Sequence, residues 1–187
     1  MKRFVLLFLL ACTGVVSAQE DDEPLSLRDR LYFGGNFGLQ FGSITRVEIS
    51  PLVGYRITPR FSSGVGITYI YHKEETFFSD FETSIYGGKV FTRLELIKDF
   101  NKFIPLGFNG GLFAQVEYEP LNIESRIFHP FGLEAERYWY HGVFAGGGLN
   151  LPLGGRASVN FMVLYDLNHS TRSPYADPYV IRFGINF

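Results

Sequence analysis

The sequence predicts an all-β fold, an eight-stranded antiparallel up-and-down transmembrane β-barrel. Three observations point there. Apolar residues alternate with small or polar ones at period two through most of the chain, the mark of strands with two unlike faces. Aromatic residues reach 17%, with 20 Phe and 11 Tyr, alongside 21 Gly. Strands favour such aromatics, whereas each glycine weakens a helix by roughly 1 kcal/mol. Beyond Ala18 no apolar run approaches the about 20 residues that a spanning helix needs.

The chain start reads as an export signal. Lys2 and Arg3 precede the uncharged apolar run Phe4 to Ala11, and Val16-Ser17-Ala18 offers small residues to a signal peptidase, ahead of Gln19. Leu9-Leu10-Ala11-Cys12 approximates a lipobox, the rival processing route, although Leu10 fits it poorly. Cys12 is the only cysteine, so cleavage after Ala18 leaves neither thiol nor disulfide. It also removes Lys2 and Arg3, leaving 15 basic residues against 19 acidic ones, a net charge of −4. A mildly acidic chain lacks the basic stripe that a nucleic-acid partner favours. The expected plan is a signal peptide over 1–18, a short polar periplasmic leader over 19–30 and one barrel domain over 31–187.

The strands follow in order. Leu31 to Gly42 sets Leu31, Phe33, Phe37, Leu39 and Phe41 against Asn36, Gln40 and several glycines. Thr45 to Ile57 opposes Val47, Ile49, Pro51, Val53 and Tyr55 to Arg46, Glu48, Ser50, Gly54 and Arg56, and Thr58-Pro59-Arg60 makes a tight turn. Phe61 to His72 opposes Phe61, Val65, Ile67, Tyr69 and Tyr71 to Ser62, Gly64, Gly66, Thr68 and His72; a polar loop over 73–80 is expected next. Thr83 to Ile97 places Tyr86, Val90, Leu94 and Leu96 opposite Lys89, Arg93 and Glu95. Leu106 to Glu119 opposes Phe108, Leu112, Ala114, Val116 and Tyr118 to Asn109, Gln115, Glu117 and Glu119, before a long loop over 120–136. In Arg137 to Leu149 the run Gly146-Gly147-Gly148 blurs the faces, and Pro152-Leu153-Gly154-Gly155 is a turn. The seventh strand opposes Val159, Phe161, Val163, Tyr165 and Leu167 to Ser158, Asn160, Asp166 and Asn168, and a loop over 169–178 follows. The last sets Tyr179, Ile181, Phe183, Ile185 and Phe187 against Arg182, Gly184 and Asn186. Lengths of roughly nine to thirteen residues suit tilted bilayer strands.

Alternation alone does not say which face meets lipid, because a lipocalin-type barrel shows the inverted pattern. Here glycines crowd the polar face, and charges of both signs recur on it at mid-strand: Arg46, Glu48, Arg56, Lys89, Arg93, Glu95, Glu117 and Arg182. Inside a narrow barrel such charges can pair, as buried charges must. The greasy face carries Tyr55, Tyr69, Tyr71, Tyr118, Trp139, Tyr165 and Tyr179 near strand ends, as interfacial girdles do. An eight-stranded barrel has an interior that side chains can fill, so a salt-bridged plug is expected rather than a channel. Short turns fall on the leader's side and the longer links outside, the usual asymmetry of such barrels. The short first outer link over 42–44 and the longer inner link over 98–105 depart from it.

Four stretches carry a resemblance: Asp29 to Gly42, Ser50-Pro51-Leu52-Val53-Gly54-Tyr55, Tyr86-Gly87-Gly88, and Ser173-Pro174-Tyr175 running into Val180 to Phe187. On these the chain resembles the small outer-membrane β-barrel proteins of Bacteroidota-type bacteria, with barrels of the OmpA and OmpX kind. The resemblance implies the cell outer membrane as address and its lipid as surroundings. The final alternating strand, with Tyr179, Ile181, Phe183, Ile185 and Phe187 on one face, is similar to the signal that barrel-assembly machinery recognises.

Catalytic candidates are weak. His169, Ser170 and Asp177 fall together, but adjacent strand residues point to opposite faces, and a lipid A deacylase pattern would pair His169 with Thr171 instead. His72, His129 and His141 show no metal spacing, and Gly146-Gly147-Gly148 lacks the Lys and helix start of a phosphate loop. Those glycines fit a strand that curves or approaches lumen side chains closely. No catalytic residue, cofactor or metal is expected. The leading expectation is a non-enzymatic barrel that supports the outer membrane or presents its loops over 73–80, 120–136 and 169–178 to a partner. Phe77, Phe78, Phe81, Phe128, Phe131 and Tyr175 would anchor that partner. The alternatives are a lipid A-modifying enzyme and a narrow channel or conduit for a small apolar ligand.

Overall fold

The computed structural model describes residues 26–40, 44–76, 79–102, 109–125, 136–175 and 177–187. The expected signal and most of the leader lie outside the described residues, as do Phe41 and residues 42–43 of the first outer link, Leu106 and Phe108 of the expected fifth strand, His129 and four of the loop aromatics: Phe77, Phe78, Phe128 and Phe131. A short helix α1 (Leu27–Arg30) leads into β1 (Leu31–Gln40), β2 (Ile44–Arg56), β3 (Phe61–Thr76), β4 (Ser79–Ile97), β5 (Gly111–Glu124), β6 (Arg137–Gly154), β7 (Ala157–Asp166) and β8 (Tyr179–Asn186). Each strand pairs antiparallel with its sequence neighbours, and β8 returns to β1 to close the barrel. The predicted eight-stranded antiparallel up-and-down barrel is therefore the observed one. No helix among the described residues is long and apolar enough to cross a membrane.

Strict alternation sets the register, since a slip of one residue would exchange the two faces. Thus Glu48 stands opposite Gly38 on one side and Ile70 on the other, all three inward. Outward residues such as Phe33, Ile67 and Phe183 are exposed, while their inward neighbours Tyr32, Thr68 and Arg182 are buried.

One rim carries α1 and the tight turns. Asp29 N–H donates to the Ser26 hydroxyl at 3.3 Å, which caps α1. Guanidiniums then bind backbone carbonyls around it: Arg56 to Asp29 O at 2.7 Å, Arg30 to Ile57 O at 3.1 Å and Arg156 to Leu31 O at 2.5 Å. At the β2–β3 turn, Phe61 N–H donates to the Thr58 hydroxyl at 2.9 Å. The β6–β7 turn places Gly154 and Gly155 at φ 115° and 58°, a region that glycine reaches without a Cβ clash. A 3-10 turn, Phe100–Lys102, follows β4 on this rim, with Asn101 Nδ2 donating to Asn109 Oδ1 at 2.7 Å.

The opposite rim differs from expectation. Of the polar loop expected over 73–80, residues 73–76 and 79–80 instead continue the β3–β4 hairpin, paired from Lys73↔Glu82 to Thr76↔Ser79, and 77–78 lie outside the described residues. Likewise Pro120 to Glu124 belongs to β5 and pairs with Arg137 to His141. Backbone pairing requires no apolar side chains, so polar sequence hid the first ladder, while Pro120 and the switch of apolar residues to the inward face at Leu121 and Ile123 hid the second. The β6 ladder also runs on through Pro152 to Gly154, leaving only a two-residue turn.

One junction is short. Between β1 and β8 the register pairs run from Gly34↔Asn186 to Phe37↔Phe183, extended by reciprocal bonds between Phe33 and Phe187 of 3.2 and 2.8 Å. Gly38 to Gln40 continue to pair with β2, and Tyr179 to Arg182 with β7, but not with one another.

Candidate functional site in the barrel lumen

The two faces of the wall are chemically opposite. Outside stands a band of aliphatic and aromatic side chains, with Tyr69, Tyr86, Tyr118, Trp139, Tyr165 and Tyr179 exposed toward the loop rim and Tyr55 toward the turn rim. Tyr71, expected in that girdle, is partly covered. Inside, three zones succeed one another along the strands. Toward the loop rim lies an apolar cluster including Ile70, Ile85, Leu121, Ile123, Tyr140, Phe144, Leu164 and Val180. Toward the turn rim sit Tyr32, Leu52 and Phe91. Charged residues occupy the middle.

That middle zone holds three cations, Arg46, Lys89 and Arg182, and three carboxylates, Glu48, Glu117 and Glu119. Arg182 on β8 is wholly buried, with Nε 3.0 Å from Glu48 Oε1, Nη2 2.8 Å from Glu119 Oε2 and Nη1 against Glu117. Lys89 Nζ stands 3.5 Å from Glu117 and 3.3 Å from Glu119. Uncharged donors complete the carboxylates: the Thr68 hydroxyl donates to Glu119 Oε1 at 2.6 Å and the Tyr175 hydroxyl to Glu119 Oε2 at 2.7 Å. Ser50 bridges Glu48 and Thr68 at 3.4 and 3.3 Å. A balanced, hydrogen-bonded cluster is the form in which buried charge is tolerated.

Of the eight charges expected in the lumen, Arg46, Glu48, Lys89, Glu117 and Arg182 meet here. Arg93 lies nearer the turn rim, donating to Gln115 at 2.9 Å and Asn160 at 3.3 Å, its guanidinium 4.1 Å from the Phe113 ring centroid. Arg56 sits at the turn rim over Tyr32, and Glu95 is half-buried beside a register shift at the end of β4. The residue left out of the expected network is Glu119. Its parity put it on the polar face, but the strand was expected to stop there; because β5 runs on to Glu124, Glu119 is mid-strand and fully buried. The apolar lumen cluster was likewise hidden, since Ile70 between Tyr69 and Tyr71 leaves alternation nothing to contrast.

Tyr175 departs furthest from expectation. Read as an exposed anchor for a partner, it is buried, because the β7–β8 connection dips into the barrel mouth. Arg46 donates to Pro174 O at 2.6 Å and lies 4.4 Å from the Tyr175 ring centroid, while Ser173 donates to Asp166 at 3.5 Å. Burial first, then the neighbouring Glu119 carboxylate, hold the Tyr175 phenol well above its ordinary pKa, so it remains a donor.

The catalytic candidates do not assemble. His169 Nδ1 is 3.8 Å from Asp166 Oδ2, too long for a hydrogen bond, and that carboxylate already accepts from the Tyr140 hydroxyl at 2.5 Å. Among the described residues no hydroxyl bonds the His169 ring, and Ser170, Thr171 and Asp177 are exposed. His72 is buried, whereas His141 lies outside, stacked on Tyr118 with its Nδ1 2.7 Å from the phenol. Among the described residues no group of His, Cys, Asp and Glu could hold a metal. The glycine run lets β6 approach its neighbour closely: a Cβ on Gly146 or Gly148 would strike the backbone of β7, and on Gly148 also the side chain of luminal Met162.

No family model matches the chain, and no curated protein does. Among solved structures it is similar to the N-terminal β-barrel domain of Pseudomonas aeruginosa OprF, at 9% identity and a TM-score of 0.44, over 84% of this chain and 96% of that one.

Proposed function

We propose that the chain is an integral outer-membrane β-barrel protein without catalytic activity, which supports the membrane or presents its loop rim to a partner. One observation carries this reading. Charge is buried at the centre of the barrel while a continuous apolar and aromatic band is exposed outside, the reverse of a water-soluble barrel. Hydrocarbon is the solvent in which that distribution is favourable. The sequence resemblance to small barrels of Bacteroidota-type bacteria accords with this address. The ion cluster, two apolar clusters and tucked Tyr175 support a filled lumen rather than a pore. Folding into lipid vesicles, followed by the mobility difference between unheated and boiled protein, tests the membrane reading. A planar-bilayer recording tests the lumen: the expected trace is flat, and a large steady conductance refutes the plug.

A further inference from the structure

Every segment on the turn rim contributes a cation. Arg30 ends α1, Arg56 and Arg60 flank the β2–β3 turn, Lys98 and Lys102 follow β4, and Arg156 sits in the β6–β7 turn. The described part of this rim carries the side-chain carboxylates Asp29, Glu95 and Asp99, and the α-carboxylate of Phe187 makes a fourth anion. Six cations therefore outnumber four anions there, however the individual pairs are arranged. Three guanidiniums are oriented by neutral carbonyls, which hold them without cancelling their charge: Arg56 by Asp29 O, Arg30 by Ile57 O and Arg156 by Leu31 O. The loop rim is the reverse, with Lys73, Arg137 and Arg172 outnumbered by Glu82, Glu124, Glu136, Asp166 and Asp177. The basic collar also has a defined depth. Exposed Leu31, Tyr55, Ile57 and Leu153 neighbour its arginines, so the charges stand where the apolar band ends.

We propose that this collar binds the headgroups of anionic phospholipids, such as phosphatidylglycerol, in the leaflet on the turn side. The assignment rests on the membrane reading above. Cations held at the edge of an apolar band meet lipid phosphates directly, and each strengthens attraction to an anionic surface by about fivefold. The planar donor fork of arginine matches phosphate oxygens. The competing occupant is the acidic run Glu20-Asp21-Asp22-Glu23, which precedes the collar in sequence and lies outside the described residues. A lipid fits better, because its acyl chains also cover Leu31, Tyr55, Ile57 and Leu153, which four acidic side chains do not.

The test is electron spin resonance on the protein in phosphatidylcholine vesicles doped with spin-labelled phosphatidylglycerol or spin-labelled phosphatidylcholine. The motionally restricted lipid is expected to favour phosphatidylglycerol by about fivefold at low salt. That preference should vanish in about 1 M NaCl, where the screening length falls to about 3 Å. The triple variant Arg30→Gln, Lys102→Gln, Arg156→Gln leaves no excess of cations and should bring the ratio close to one. Arg30→Lys with Arg156→Lys should keep it. A ratio near one in the unsubstituted protein, or a preference that survives the three Gln substitutions, overturns the collar. So does a preference that appears only after Glu20→Gln, Asp21→Asn, Asp22→Asn and Glu23→Gln, which gives the collar to the acidic run. Should the Gln variant fail to assemble, the salt series on the unsubstituted protein decides, and a salt-independent preference overturns the proposal. Absence of a restricted component for both lipids defeats the membrane reading itself.

Discussion

Replacing Arg182 by Met probes the centre of the barrel. The guanidinium is completely buried and touches Glu48, Glu117 and Glu119, so its loss leaves three carboxylates facing Lys89 and, 3.9 Å from Glu48, Arg46. Removing one partner of a buried pair costs about 3–5 kcal/mol, because the stranded charge has no water to return to. Met fills much of the volume, which confines the effect to charge. Urea unfolding in vesicles can be followed through Trp139, the only tryptophan, which faces outward on β6. With a slope of about 2 kcal/mol per molar urea, the midpoint should fall by roughly 1.5–2.5 M. Adding Glu117→Gln should restore part of the loss by correcting the charge balance. A shift below about 0.5 M, the scale of an exposed surface pair, would refute the view that this cluster holds the wall together.

Other perturbations follow the same geometry. Tyr175→Phe removes the donor to Glu119, at an expected cost of about 1–3 kcal/mol in the same urea assay. Because the Tyr175 phenol is raised in the folded state, its contribution is intact below the ordinary phenol pKa of 10.0 and is lost as pH climbs through the higher folded value. Ultraviolet titration of the folded barrel should accordingly show a late-ionising tyrosine component that Tyr175→Phe diminishes. Gly148→Val should sharply lower the yield of heat-modifiable barrel, since its Cβ meets the Met162 backbone; Gly88→Ala, whose Cβ reaches only the Gly66 carbonyl at 3.5 Å, should assemble normally.

The wall was legible because its two faces differ in kind: Ile49 beside Ser50, Val116 beside Glu117, Ile181 beside Arg182. Five of the network's six charges followed from parity alone. Glu119 did not, because its importance depends on where β5 ends, and Pro120 directly after it, with apolar Leu121 and Ile123 on the inward face, concealed the ladder that continues to Glu124. Tyr175 was misplaced for a different reason. Its burial comes from the path of a connection, set by Arg46 more than a hundred residues earlier in the chain, and no local pattern encodes such a contact. The short β1–β8 junction lies further still from sequence, since a strand's periodicity carries no record of which neighbour stops pairing first.

The extended β3–β4 hairpin gives the loop rim a tall side and a low one. β3 and β4 have 16 and 19 residues, whereas β7 and β8, across the barrel, have 10 and 8. A bilayer crossing uses about 9–11, so the surplus of some six residues per strand amounts to a stalk on the order of 20 Å. The mouth is therefore slanted like a scoop, with Pro174 and Tyr175 seated at its low lip. A foreign peptide spliced between Thr76 and Ser79 would ride on a scaffold that is already hydrogen-bonded, distant from the ion cluster below and, on the membrane reading proposed above, held clear of the lipid surface.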